Sequence, residues 1–154
     1  MKGSGTGFGT TSDQFHYVYQ TISGDGEIRA RVLTVQNASG SSRAGVMIRD
    51  GLGTNAAYAL MSLRTTGRGI YQRRLSGGAA SSKTETNLSI PYWVRLVRSG
   101  NTFTAYDSSN GTSWTVLGTP ATIPMGQNVV VGLAVSSFSG TLNTSTFSNI
   151  TVVP

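Results

Sequence analysis

The chain contains no cysteine, four prolines, one histidine and only six acids in 154 residues. Without thiols there is no disulfide and no thiolate metal site, and a single histidine leaves ordinary zinc and copper centres short of ligands. Charged residues make up 12% of the chain, about half of the ~25% usual in soluble domains. Ser, Thr, Asn and Gln must therefore carry most of the polar surface, as suits an exported β protein. No apolar run approaches the ~18 residues of a spanning helix, so helical membrane insertion is not expected. No leader is visible, and Met1–Ser4 reads as an added start, so the chain is expected to be a module of a longer secreted or surface protein.

The scarcity of acids bears directly on chemistry. A glycosidase needs two carboxyl groups within about 5–10 Å of each other. The available acids are Asp13, Asp25, Glu27, Asp50, Glu85 and Asp107. Most fall at strand ends or turns, where Asp commonly shapes the backbone. The strand nearest to an alternating acid pattern reads Glu27-Ile28-Arg29-Ala30-Arg31. A polysaccharide lyase is the better enzymatic rival, because His16, Tyr17, Tyr19, Tyr71, Gln72, Arg73 and Tyr106 supply its residue types. His16 nevertheless reads more simply as a strand histidine bonded to a neighbour. The expectation is a protein that is not an enzyme.

What the sequence has is period-2 alternation, 20 glycines and abundant Ser and Thr. These predict many strands joined by tight turns, and no segment offers an amphipathic helix of ten residues. The clearest hairpin lies in 91–114. Trp93–Arg98 alternates Val94 and Leu96 against Arg95; Gly100-Asn101 turns the chain; Phe103–Tyr106 returns; Ser109-Asn110-Gly111 turns it again before Trp114. In Glu27–Val35, Ile28, Ala30 and Val32 point inward and Arg29 and Arg31 outward. Ala44–Asp50 sets Val46 and Ile48 against Met47 and Arg49. Ala56–Arg64, Gly69–Leu75, Lys83–Ile90, Val129–Ser136 and Ser145–Val153 complete the set, with Lys83–Ile90 at an edge. Phe15–Ile22 carries bulky groups on both faces and is expected in a sheet interior. The small residues of Val129–Ser136 predict close approach of another backbone or a ligand floor. About a dozen short strands over 1–154 make one all-β domain, a sandwich of two antiparallel sheets.

The run P-Y-W-V-R-L-x-R-x-G-N-T-F-T-A-Y, with Asp13–Tyr19, Ser23–Val32, Ala44–Asp50 and Gly132–Val135 in the same order, resembles a concanavalin A-like family of bacterial secreted and surface proteins. That family is related to the C-terminal module of β-xylosidases and to laminin-G-like sandwiches. The resemblance implies a jelly-roll sandwich and a lectin-like, carbohydrate-binding or adhesion role, with a protein-interaction or spacer domain as the alternative. This chain departs from its relatives at Asn110, where they usually carry Asp.

Carbohydrate sites combine aromatic faces with a few convergent polar groups. The candidates for a concave sheet face are Arg49, Tyr58, Gln72, Arg74, Trp93, Arg95 and Tyr106, taken from strands expected to be neighbours. Trp93 and Trp114 have a second reading as hairpin-packing residues. Arg49 and Arg95 are expected to share a face near Tyr106 and to favour a sulfated or uronic-acid polysaccharide. The net charge of +6 rests on twelve bases, with Arg29, Arg31, Arg49, Arg64, Arg95 and Arg98 spread singly through strands and no basic tract or nucleic-acid-binding motif, so nucleic acid is not an expected partner. No cofactor is expected. A structural Ca²⁺ would draw on Asp25 or Asp107, both of which also read as turn formers.

Overall fold

The computed structural model describes residues 1–154 and contains thirteen strands and no helix. In chain order these are β1 (Lys2–Gly5), β2 (His16–Ser23), β3 (Gly26–Val35), β4 (Arg43–Arg49), β5 (Tyr58–Arg64), β6 (Arg68–Arg74), β7 (Ser82–Asn87), β8 (Tyr92–Ser99), β9 (Thr102–Ser108), β10 (Thr115–Val116), β11 (Ala121–Thr122), β12 (Asn128–Ser136) and β13 (Ser139–Val153). They form two antiparallel sheets. The seven-stranded sheet runs β1-β13-β3-β8-β9-β10, with β11 also on β9, and the six-stranded sheet runs β2-β12-β4-β5-β6-β7.

The alternating apolar residues lie between the sheets. Ile28, Ala30 and Val32 of β3, Val94 and Leu96 of β8, and Phe103 and Ala105 of β9 meet Val46, Ile48, Ala59, Met61 and Leu63 across a core of 21 buried residues. Burying such side chains contributes roughly 1.5–3 kcal/mol each before entropy is counted. Tyr71, considered above among the lyase residue types, belongs to this core and donates its hydroxyl to Phe103 O at 2.9 Å.

A second, smaller cluster lies on the opposite face of the six-stranded sheet. Met47, Tyr58, Leu60 and Ala134 are buried there under Phe8, with Phe15, Tyr17 and Phe138 packed against them. The stretch between β1 and β2 therefore lies across that sheet. Its aromatic rings continue as a row, Phe8–Phe15 at 4.7 Å, Phe15–Tyr17 at 5.6 Å and Tyr17–Tyr19 at 5.3 Å.

This row accounts for a misreading of Phe15–Ile22. Its bulky residues on both faces predict an interior strand, yet β2 is an edge strand that pairs only with β12. The chain's own leading segment packs on Phe15 and Tyr17, while Val18 and Tyr19 stay 53% and 46% exposed. The small residues of β12 have the simpler of their two predicted explanations. A Cβ on Gly132 would stand 1.9 Å from Val18 O, so the neighbouring backbone requires glycine there. The last strand starts earlier than the expected Ser145–Val153: β13 begins at Ser139, after a turn at Phe138 with φ of 56°.

Candidate functional site

The seven candidate binding residues divide into two groups on opposite outer faces. Arg49, Tyr58, Gln72 and Arg74 lie on β4, β5 and β6 of the six-stranded sheet, with Arg49 opposite Tyr58 and Tyr58 opposite Arg74. Trp93, Arg95 and Tyr106 lie on β8 and β9 of the seven-stranded sheet, with Arg95 opposite Tyr106. The expectation that Arg49 and Arg95 share one surface is therefore wrong. Alternation with apolar neighbours puts both away from the core, but it does not specify which sheet a strand joins, and β4 and β8 join different ones.

The first group is covered. Asp13, on the crossing segment, is buried and bridges two arginines. Arg74 donates Nη1 to Asp13 Oδ2 at 2.6 Å and Nη2 to Oδ1 at 2.8 Å, while Arg49 donates Nη1 to Oδ2 at 2.6 Å. Further donors go to backbone carbonyls, Arg49 to Gly53 O and Arg74 to Thr10 O, Ala56 O and Ala79 O. Burial opposes the charge of Arg74, but its hydrogen bonds and Coulombic attraction to Asp13 outweigh this and raise its pKa. Tyr58 and Gln72 both donate to Phe8 O, at 2.9 and 3.2 Å. Arg43 also belongs here, although sequence reading passed over it. It donates to Gln72 Oε1 at 3.0 Å and sits 4.1 Å from the Phe138 ring centre. Burial, followed by the nearby Arg64 charge, lowers the Arg43 pKa to about 10. This face offers few free polar groups. A crevice of about 310 Å³ beside Phe15, Tyr17 and Thr54 reaches Arg49 and Asp13, which are paired with each other, Asp13 also holding Arg74.

The second group is open. On β3, β8 and β9 the residues alternating with the core are Glu27, Arg29 and Arg31; Trp93, Arg95 and Val97; and Thr104 and Tyr106. All of them are partly exposed. Trp93 and Trp114 meet edge to face, 6.4 Å between ring centres and 86° between planes. Arg95 lies 5.1 Å from the Tyr106 ring centre and 5.5 Å from that of Trp114, and donates Nε to Glu27 Oε2 at 2.5 Å. A hollow of about 460 Å³ beside the tryptophans is lined by Arg29, Gly111, Thr112, Asn149 and Thr151.

Two local features shape this hollow. The turn before Trp114 is held by its own side chains: Asn110 Oδ1 accepts from Thr112 N and Ser113 N, both at 2.9 Å, and Ser108 Oγ from Gly111 N at 2.9 Å. Gly111 has φ of 76°, and a Cβ there would stand 2.7 Å from the Trp93 ring, so the ring rests on bare backbone. The second feature is a break in the β13–β3 register between Ser148 and Thr151. Asn149, exposed with φ of 53°, occupies this bulge. Bulges re-aim side chains, and asparagine tolerates that conformation better than most residues. Sequence reading missed Asn149 and Thr151, since β13 is remote in sequence from the hairpin and its bulge has no turn signature.

The acids proposed for Ca²⁺ have other surroundings. Asp25 accepts from Gly100 N at 2.7 Å, which fits a turn former. Asp107 is buried, and burial alone raises its pKa. No three His, Asp or Glu side chains come together around either acid.

No protein-family model and no curated protein matches the chain. Solved structures do. A functionally unknown protein from Saccharomyces cerevisiae superposes with a TM-score of 0.75 at 15% identity, covering 100% of this chain and 86% of the other. The GH43 protein BlXynB from Bacillus licheniformis, a K247S mutant, gives 0.68 at 15% identity over 99% of this chain and 32% of its own length. The carbohydrate-binding module CBM66 from Bacillus subtilis gives 0.63 at 15% identity over 94% and 84%. The fold is a concanavalin A-like jelly-roll sandwich, as the sequence resemblance implied.

Proposed function

We propose that the chain is a non-catalytic carbohydrate-binding module of a secreted or cell-surface protein, and that it holds polysaccharide on the open face of the seven-stranded sheet. The carrying observation is the Trp93–Trp114 pair beside a hollow edged by Thr112, Asn149, Thr151 and Arg29. Aromatic faces pack on the apolar faces of sugar rings, while amide, hydroxyl and guanidinium groups at the rim meet the hydroxyls. The resemblance of the fold to a carbohydrate-binding module and to part of a GH43 protein supports the same reading.

Binding is favoured over catalysis because the lining of the hollow contains no carboxylate, whereas glycoside hydrolysis uses two. Two of the tyrosines a lyase would draw on are engaged: Tyr17 donates to Met47 O and Val130 O, and Tyr71 donates to Phe103 O within the core. The test is titration of the intact protein with soluble polysaccharides, comparing Trp114→Ala and Asn149→Ala with the parent. Losing a stacking face should weaken binding about tenfold or more. Unchanged affinity in both variants would remove the shelf from consideration.

One observation favours the alternative, a protein-interaction domain. Edge strand β2 is eight residues long, carries no Lys, Asp, Glu or Pro, and leaves Val18 and Tyr19 53% and 46% exposed. Such an edge accepts a further strand readily. Silence across a glycan panel, with self-association visible by sedimentation, would favour it.

A further inference from the structure

On the premise that the tryptophan shelf is a glycan site, we propose that it selects acidic polysaccharide, recognising carboxylate or sulfate through Arg29 and Arg31. The six acids of the chain are already engaged or turned away. Asp13 holds Arg49 and Arg74, Glu27 holds Arg95, and Glu85 holds Lys83 and Arg64. Asp25 and Asp50 accept backbone N–H groups of Gly100 and Gly126, and Asp107 is buried with its pKa raised. Among the cations, Arg43 and Arg98 are buried and give their donors to protein acceptors, and Arg73 donates to Tyr71 O and Thr84 Oγ1. Arg29 and Arg31 are partly exposed and enter no ion pair.

Their placement is specific. They lie two residues apart on the same side of β3, about 7 Å along the strand. Arg31 stands opposite Trp93, and Arg29 opposite Arg95 on one side and Thr151 on the other. Like charges directly opposite each other destabilise a sheet. Glu27 relieves Arg95 but leaves Arg29 facing it, at the wall of the hollow that Trp93 and Trp114 also line. An anionic sugar stacked on the tryptophans would supply the missing counter-charge, and guanidinium's planar fork suits carboxylate and sulfate. The anionic preference expected from Arg49 and Arg95 thus falls to a different pair on one sheet.

The experiment uses polymers that differ only in charge. The intact protein is titrated with polygalacturonate and its fully methyl-esterified form, with dextran sulfate and dextran, and with a single-stranded DNA oligonucleotide. Expected results are tighter binding of both acidic polymers than of their neutral partners, weakening as salt rises, and a tenfold or greater loss in Arg29→Gln and Arg31→Gln. Lys2→Gln with Arg68→Gln, which alters charge elsewhere, should bind like the parent. Equal binding of charged and neutral polymers, lost in Trp114→Ala, would overturn the acidic preference and leave the glycan reading standing. Binding of no polysaccharide would overturn both. Equal loss in the Lys2/Arg68 variant, or tighter binding of the oligonucleotide, would reduce the effect to non-specific attraction of polyanions and overturn the proposal.

Discussion

The two outer faces of the sandwich use the same vocabulary, arginines and tyrosines alternating with core residues, for opposite purposes. On the six-stranded sheet the segment carrying Phe8 and Asp13 covers Arg49, Tyr58, Gln72 and Arg74 and accepts a hydrogen bond from each of the four. On the seven-stranded sheet Arg29, Arg31, Trp93 and Arg95 stay partly exposed, with the Gly111–Trp114 turn packed against Trp93 and Arg95. An outward-pointing side chain is thus committed to function or to stability by what lies above it. The covered face is a second core with a buried ion network, and the open face is what can meet a partner.

The sharpest way to break this comparison is to remove its two acids separately. Asp13→Ala leaves Arg49 and Arg74 as unpaired buried cations and should cost about 3–5 kcal/mol in urea unfolding. Glu27→Ala removes the partner of Arg95, whose side chain is 26% exposed, and should cost about 1 kcal/mol or less. Similar losses would mean the faces are not energetically distinct. Phe8→Ala should also cost about 3–5 kcal/mol, because it empties the centre of the covered cluster. Unchanged stability there would make the covering segment an ornament.

A second test uses alkaline pH. Burial raises the pKa of Tyr17 and Tyr58, and that of Tyr71 to about 12, from an ordinary value of 10. Groups protonated more strongly in the folded state hold their full stabilisation below the unfolded pKa and lose it as pH rises through the folded one. Stability should therefore fall from about pH 10 upward. Tyrosinate absorbance should show these three phenols ionising only with unfolding.

A smaller effect is expected at Asp107. Its pKa is raised in the folded protein by burial alone, so the charged form is penalised as pH rises through that pKa. Asp107→Asn should be more stable than the parent at neutral pH, and the difference should vanish in acid. Chelation of divalent cations should have the least effect, leaving Tm unchanged. A drop on adding EDTA would support the Ca²⁺ expectation.

Local sequence determined a good deal of this protein. The alternation Ile28-Arg29-Ala30-Arg31-Val32 fixes which side of β3 faces the core, and Asn110-Gly111 fixes a turn, because period and backbone tolerance are properties of a few adjacent residues. The antiparallel sandwich follows from summing such signals. Only the tertiary structure decided which strands became neighbours, and with that the fate of every candidate residue. Arg49 and Arg95 carry the same local signature but belong to different sheets, because pairing depends on contacts between segments far apart in the chain. The burial of Tyr58 and Arg74 was likewise decided from a distance, by Phe8 and Asp13 more than forty residues upstream. The shelf unites Arg29, Trp93, Trp114 and Asn149 from four separate stretches, a convergence that no local pattern encodes.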